Sequence, residues 1–214
     1  MSNHTLIIAE AGVNHNGSLD IAKLLIDAAV DAGVDIIKFQ TFKADRLVSK
    51  DAKKAEYQKK NIGDGDDSQY QMLKKLELSD EDHQELVAYC HHRGIRFWST
   101  AFDLESIDFL HSLGLELWKI PSGEITNYPF IKKIASLHEP VIMSTGMCSE
   151  EDIKNAMECV AEKITKFNLP FDMKEAYLMG HSSGGHLAMM AVLHNACGMI
   201  EMPNVKGVIL ESAS

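Results

Sequence analysis

Lys38 and Lys119 each lie inside a short apolar run, Ile36-Ile37-Lys38-Phe39-Gln40 and Leu117-Trp118-Lys119-Ile120. Lysine is rarely buried unless it is paired, and an unpaired buried ammonium carries a large desolvation penalty. Two lysines in such settings predict anion handling rather than packing. Other polar residues fall at comparable places in the chain: Glu10, Asn14 and His15; Gln40; Ser99 and Thr100; Ser122 and Glu124; Ser144 and Thr145. Lysines accompanied by hydroxyls and amides suit a substrate carrying phosphate and carboxylate. His15 has no partner at metal-ligand spacing and reads as a turn or hydrogen-bonding residue. A second feature is Gly180-His181-Ser182-Ser183-Gly184-Gly185. Its glycines permit a sharp turn that would expose Ser182 as a nucleophile at a helix N-terminus.

These residues need elements to position them. Leu6 to Ala9, Ile36 to Gln40, Arg96 to Thr100, Leu117 to Ile120 and Pro140 to Thr145 read as five buried strands. Glu175 to Met179 and Val205 to Leu210 read as two more. Amphipathic stretches alternate with them. One is capped by Ser18, carries Ile21, Leu24, Leu25, Ala28 and Ala29 as its apolar face, and stops at Gly33. Ser79/Asp82 and Ser149/Asp152 match capping boxes, and helices are also predicted over Asp103 to Ser112, Tyr128 to Leu137 and Gly185 to Ala196. The lysine-rich, acidic stretch from Lys43 to Leu78 reads as a long loop. Strict alternation of strand and helix predicts a parallel α/β sheet covered by helices. With about seven strands, it is an incomplete (β/α) barrel, since closure takes about eight strands and 250 residues. In that architecture the polar strand ends gather on one face, and open sheet edges favour self-association into homo-oligomers.

Composition narrows the function. A formal net charge of -10 argues against nucleic-acid binding, which normally shows a basic footprint. Cys90, Cys148, Cys159 and Cys197 form no C-x-x-C pair, as expected of reduced thiols in the cytoplasm. There is no charged-then-apolar leader and no apolar run long enough to cross a membrane, so a cytoplasmic location is expected.

Taken together, Ala9-Glu10-Ala11-Gly12-Val13-Asn14-His15-Asn16-Gly17, Lys38-Phe39-Gln40, Lys119-Ile120-Pro121-Ser122-Gly123-Glu124 and Ser144-Thr145-Gly146-Met147 resemble the bacterial N-acetylneuraminate and N,N'-diacetyllegionaminate (nonulosonic acid) synthases. The resemblance covers residues 1–150, and the stretch Ser49 to Gln58 is similar to the legionaminate branch. It implies condensation of phosphoenolpyruvate with the open-chain aldehyde of an N-acetylated mannosamine-type amino sugar, giving a nine-carbon 2-keto acid and phosphate. It implies a divalent metal, manganese or magnesium, that polarises the aldehyde. By motif match, Lys38, Thr100, Lys119 and Ser122 would hold phosphoenolpyruvate. Glu10, Gln40 and Glu124 would sit beside the reacting centre, with Asn14, His15, Ser144 and Thr145 close by. The family's two metal-binding histidines and its C-terminal antifreeze-like domain, which reaches the partner subunit's site, have no counterpart in the sequence. Metal ligands are therefore assigned to none of these residues. The third strand has Ala101 where the family usually has proline.

Residues 151–214 are similar instead to the middle of an α/β-hydrolase of the esterase/lipase kind, through the strand, turn and helix of Tyr177 to Ala188. A triad needs a base oriented by a third group. Neither these nor an upstream oxyanion loop is found, and His186 reads as packing or solvated. Three functions stay open: a synthase made of a truncated partial barrel, a carboxylesterase using Ser182, and a non-catalytic scaffold.

Overall fold

The computed structural model describes residues 6–49, 68–166, 175–181 and 204–211, with side chains up to residue 160. Two compact units divide the chain between Leu115 and Glu116. Each has its own architecture.

The first unit is a three-stranded parallel sheet with helices. Its order is β1 (Ile8–Gly12), α1 (Leu19–Asp31), β2 (Ile36–Thr41), α2 (Ala44–Leu47), α3 (Gln69–Leu76), α4 (Asp80–Arg93), β3 (Arg96–Ala101) and α5 (Leu104–Ser112). The strands pair in the order β1-β2-β3. β2 is the central strand, buried at every position but Gln40, which is why its sequence is apolar without alternation. One face of the sheet carries Ile37 and Phe39 against Ala22, Ile26 and Ala29 of α1 and Leu86 and Cys90 of α4. Phe39 stacks on Phe97 with ring centroids 5.6 Å apart.

Two expectations need correction here. The buried stripe of α1 is Ala22, Ile26 and Ala29, while Ile21 and Leu24 are exposed. The alanines allow the helix close to a sheet face already filled by aromatic rings. The stretch from Lys43 to Leu78 is not loop throughout, because α2 and α3 fall within it. Ser68 caps α3 by accepting the Gln71 N–H at 3.2 Å. Tyr70 donates to Asp45 Oδ1 at 2.8 Å, tying α3 to α2 through polar side chains that give no apolar period.

The second unit contains β4 (Trp118–Ile120), a 3-10 turn (Ser122–Glu124), α6 (Tyr128–Ala135), β5 (Val141–Met143), α7 (Glu150–Lys166), β6 (Glu175–His181) and β7 (Asn204–Glu211). β4 pairs with β5 and β6 with β7, both in parallel. Helix α6 buries Phe130, Ile131, Ile134 and Ala135, one helical face. Among the described residues the seven strands thus form three separate ladders, where a single sheet was expected. β6 also runs further than predicted. Gly180 and His181 pair with Leu210 and Glu211, so they belong to the strand and not to a turn. Ser182 and the predicted helix from Gly185 lie outside the described residues, as does the stretch 50–58 of the branch resemblance.

Both capping boxes close. Ser79 Oγ accepts the Asp82 N–H at 3.0 Å and Asp82 Oδ2 accepts the Ser79 N–H at 2.9 Å. Ser149 and Asp152 do the same at 3.1 and 3.0 Å. No helix among the described residues is long and apolar enough to cross a membrane.

Candidate functional site

In the first unit, strand register gathers the candidate residues. Glu10 is opposite Lys38, Lys38 opposite Trp98, and Gln40 opposite Thr100. Residues in register on parallel strands point to one face, so these five share the face opposite Phe39. Lys38 is 2% exposed, ion-paired with Glu10, and its Nζ lies 5.9 Å from the Trp98 ring centroid. A carboxylate and an aromatic face together offset the cost of burying the ammonium. Thr100 Oγ1 is buried without a hydrogen-bond partner. A buried hydroxyl left this way is costly and is available to a ligand atom.

The β1 ladder breaks between Glu10 and Gly12, a bulge that bends the strand where Glu10 projects. Gly12 sits at φ +53°, and a Cβ there would lie 3.3 Å from Glu10 Oε1 and 3.7 Å from Gln40 Nε2. Only glycine combines that backbone with room for both side chains. Asn14 is exposed in the following turn. His15 is fully buried and packs toward Phe39 at 6.1 Å between centroids, so it lies away from the Lys38 face. Its Nδ1 accepts the Gly17 N–H at 3.0 Å, and its Nε2 has no partner. Burial, helped by the nearby His83 ring and opposed by Asp82, lowers its pKa below the usual 6.5.

Behind the site face lies a buried polar chain that the sequence did not reveal. His83 Nδ1 is 2.8 Å from the Ser79 carbonyl oxygen, His83 Nε2 is 2.8 Å from Thr41 Oγ1, and Thr41 Oγ1 is 2.6 Å from Ser99 Oγ. A carbonyl only accepts, so Nδ1 carries the proton. Burial lowers the His83 pKa below 6.5, opposed by the Ser79 carbonyl, and in the neutral ring Nε2 must accept from Thr41. Thr41 then accepts from Ser99. The direction of every proton is fixed, and α4 is tied to the strand positions next to Gln40 and Thr100.

In the second unit, Lys119 is 8% exposed in the middle of β4. Ser122 and Glu124 follow in the 3-10 turn, half-buried. Ser144 and Thr145 lie just past β5, and the Ser144 N–H donates to the Ile120 carbonyl at 2.9 Å. Gly146 approaches Ser122, since a Cβ there would be 3.8 Å from its Oγ. Two neighbours were not singled out from sequence. The Cys148 thiol donates to the carbonyls of Gly146 at 3.4 Å and Ser122 at 3.6 Å. Asn127 donates through Nδ2 to Glu124 Oε2 at 2.6 Å. Among the described residues no group of three or more His, Cys, Asp and Glu is placed to hold a metal ion. The residues described do not fit the metal that the resemblance implies, and no step is derived through one.

The family model "NeuB family" matches residues 25–199. The chain belongs to the NeuB family. The match runs through the segment read above as a hydrolase fragment, and nothing in the comparisons supports that reading. The N,N'-diacetyllegionaminic acid synthase of Campylobacter jejuni is 44% identical over 90% of this chain and 65% of its own length. The enzyme of the same name from Legionella pneumophila is 56% identical over 72% of this chain and 43% of its own length. The chain thus spans about half to two thirds of these relatives. The crystal structure of the N-acetylneuraminic acid synthetase of Leptospira borgpetersenii matches with a TM-score of 0.71 at 24% identity, over all of this chain and 74% of that one. This NeuB-family chain therefore has the α/β fold with parallel sheets of the sialic acid synthases.

Proposed function

We propose that this chain provides the phosphoenolpyruvate-handling part of a nonulosonic acid synthase, acting on a 2,4-diacetamido sugar of the legionaminate type. The observation that carries the reading is the buried Lys38, paired with Glu10 over Trp98, beside the unpartnered Thr100 hydroxyl, in a chain of the NeuB family. Lys38 and Thr100 would bind the phosphate and carboxylate oxygens. An arriving dianion would compete with Glu10 for Lys38, freeing that carboxylate to accept a proton or hydrogen-bond near the reacting carbon. Gln40, beside Glu10 across Gly12, would orient the sugar.

The enol carbon of phosphoenolpyruvate would attack the aldehyde carbon, leaving an oxocarbenium at C2. Water adds there, and phosphate leaves by C–O cleavage as the 2-keto group forms. Exclusion of bulk water around Lys38 strengthens its hold on the phosphoryl oxygens. We place the protein in the cytoplasm, where phosphoenolpyruvate is made.

The test is phosphate release from phosphoenolpyruvate with the full chain, manganese present. Release that depends on the 2,4-diacetamido sugar or on N-acetylmannosamine, with the former faster, is expected. No release with either sugar contradicts the proposal.

A further inference from the structure

We propose that Asn127 is a positioning residue that fixes the carboxylate of Glu124 by anchoring it to the N-terminus of α6. The inference rests on the synthase reading of Glu124. Asn127 is the N-cap of α6, and its Oδ1 accepts the Phe130 N–H at 3.3 Å. Pro129 in the first turn has no N–H, so the cap bond goes to the next residue. With Oδ1 committed to a donor, the amide orientation is settled, and Nδ2 faces Glu124 Oε2 at 2.6 Å. The backbone supports the arrangement, since the Asn127 N–H donates to the Glu124 carbonyl at 2.9 Å.

The choice of residue type is informative. Asp, Ser and Thr cap helices about as well as Asn, so the cap alone does not call for an amide. Asn adds a donor, and that donor is used on the carboxylate. Glu124 is the last residue of a 3-10 turn of three residues and is half-buried. Among the described residues no other hydrogen bond orients its side chain. Removing the donor should leave the helix in place and loosen the carboxylate.

Cap-competent variants separate the two roles. Asn127→Ser keeps an oxygen for the Phe130 N–H and removes the donor. Asn127→Asp keeps the cap and sets a second carboxylate against Glu124. Both should melt near the wild type and show the same phosphoenolpyruvate-induced rise in Tm. In phosphate release, kcat should fall about tenfold or more in Asn127→Ser and further in Asn127→Asp, with KM for phosphoenolpyruvate unchanged, as expected for a misplaced reacting group. Wild-type kcat in both variants, or equal loss of Tm and kcat, would overturn the proposal. If the wild-type chain releases no phosphate, the synthase reading fails separately. The pairing is then decided by the side-chain amide NMR resonances of Asn127 in the full chain. A shift in Glu124→Gln upholds it, and unchanged resonances overturn it.

Discussion

Thr41→Val removes one hydroxyl from the middle of the buried chain Ser99–Thr41–His83–Ser79 with little change of shape. The fixed proton directions set the cost. His83 Nε2 loses its donor and the Ser99 hydroxyl loses its acceptor, both at sites no more than 2% exposed. Each buried polar atom left unpaired costs about 1–3 kcal/mol, so the variant should lose roughly 2–6 kcal/mol in all. That is a large share of a domain stability of about 5–15 kcal/mol. Ser99→Ala removes only the first donor. Thr41 keeps its bond to His83 and forfeits a lone-pair partner, a loss of about 0.5–1.5 kcal/mol. The assay is urea unfolding followed by tryptophan fluorescence in a Trp118→Phe background, where only Trp98 of the first unit reports, because the chain has two tryptophans. The midpoint should fall several times further in Thr41→Val than in Ser99→Ala, at constant m. Equal losses, or a larger loss in Ser99→Ala, would refute the proton order and the neutral His83 it requires.

Two further outcomes follow from the same unit. His15 and His83 both have pKa values lowered by burial, so the unfolded chain binds more protons than the native one below the ordinary histidine value of 6.5. Their contribution is complete above that value and lost as pH falls through it toward the lowered native pKa values; the urea midpoint should drop from pH 7.5 to 5.5, and a flat or rising midpoint would contradict the buried neutral pair. Gly17→Ala should be far more damaging than Gly33→Ala. Both glycines have φ near +70°, at +75° and +70°, but a Cβ on Gly17 would stand 2.1 Å from the Lys75 carbonyl oxygen and one on Gly33 meets nothing within 4 Å. Gly33→Ala should cost about 1–2 kcal/mol for the left-handed backbone alone, and similar melting temperatures for the two variants would show that the close approach is absent.

Much of the first unit could be read from residue types, because its signals are local. The Ser79/Asp82 box fixes where α4 starts, and the apolar run Ile36 to Phe39 can only be a buried strand. Lys38 stood out because burial of an ammonium demands a reason. The face of α1 was misread since hydrophobicity favours Ile21 and Leu24, whereas packing against the Phe39–Phe97 stack favours the small Ala22 and Ala29. Helix α3 was missed because it is held by Tyr70–Asp45 and Lys74–Asp45, polar contacts with a segment far away in sequence. The hydrolase reading arose from glycines after an apolar strand, a pattern any β/α turn can satisfy. Pairing of Gly180 and His181 with β7 places the first of those residues in a ladder instead. His83 and Asn127 escaped notice for a related reason. A histidine or an N-cap asparagine has an adequate local role, and its second bond is to a partner that the fold supplies.

The most direct test of the central claim is thermal unfolding of the full chain with and without phosphoenolpyruvate, in wild type and Lys38→Met. A ligand that binds only the folded state raises Tm by mass action. A cooperative melt should move upward with phosphoenolpyruvate in the wild type and stay in place in the equally well folded Lys38→Met. A folded wild type whose Tm is indifferent to phosphoenolpyruvate, or an equal rise in both proteins, would contradict that claim.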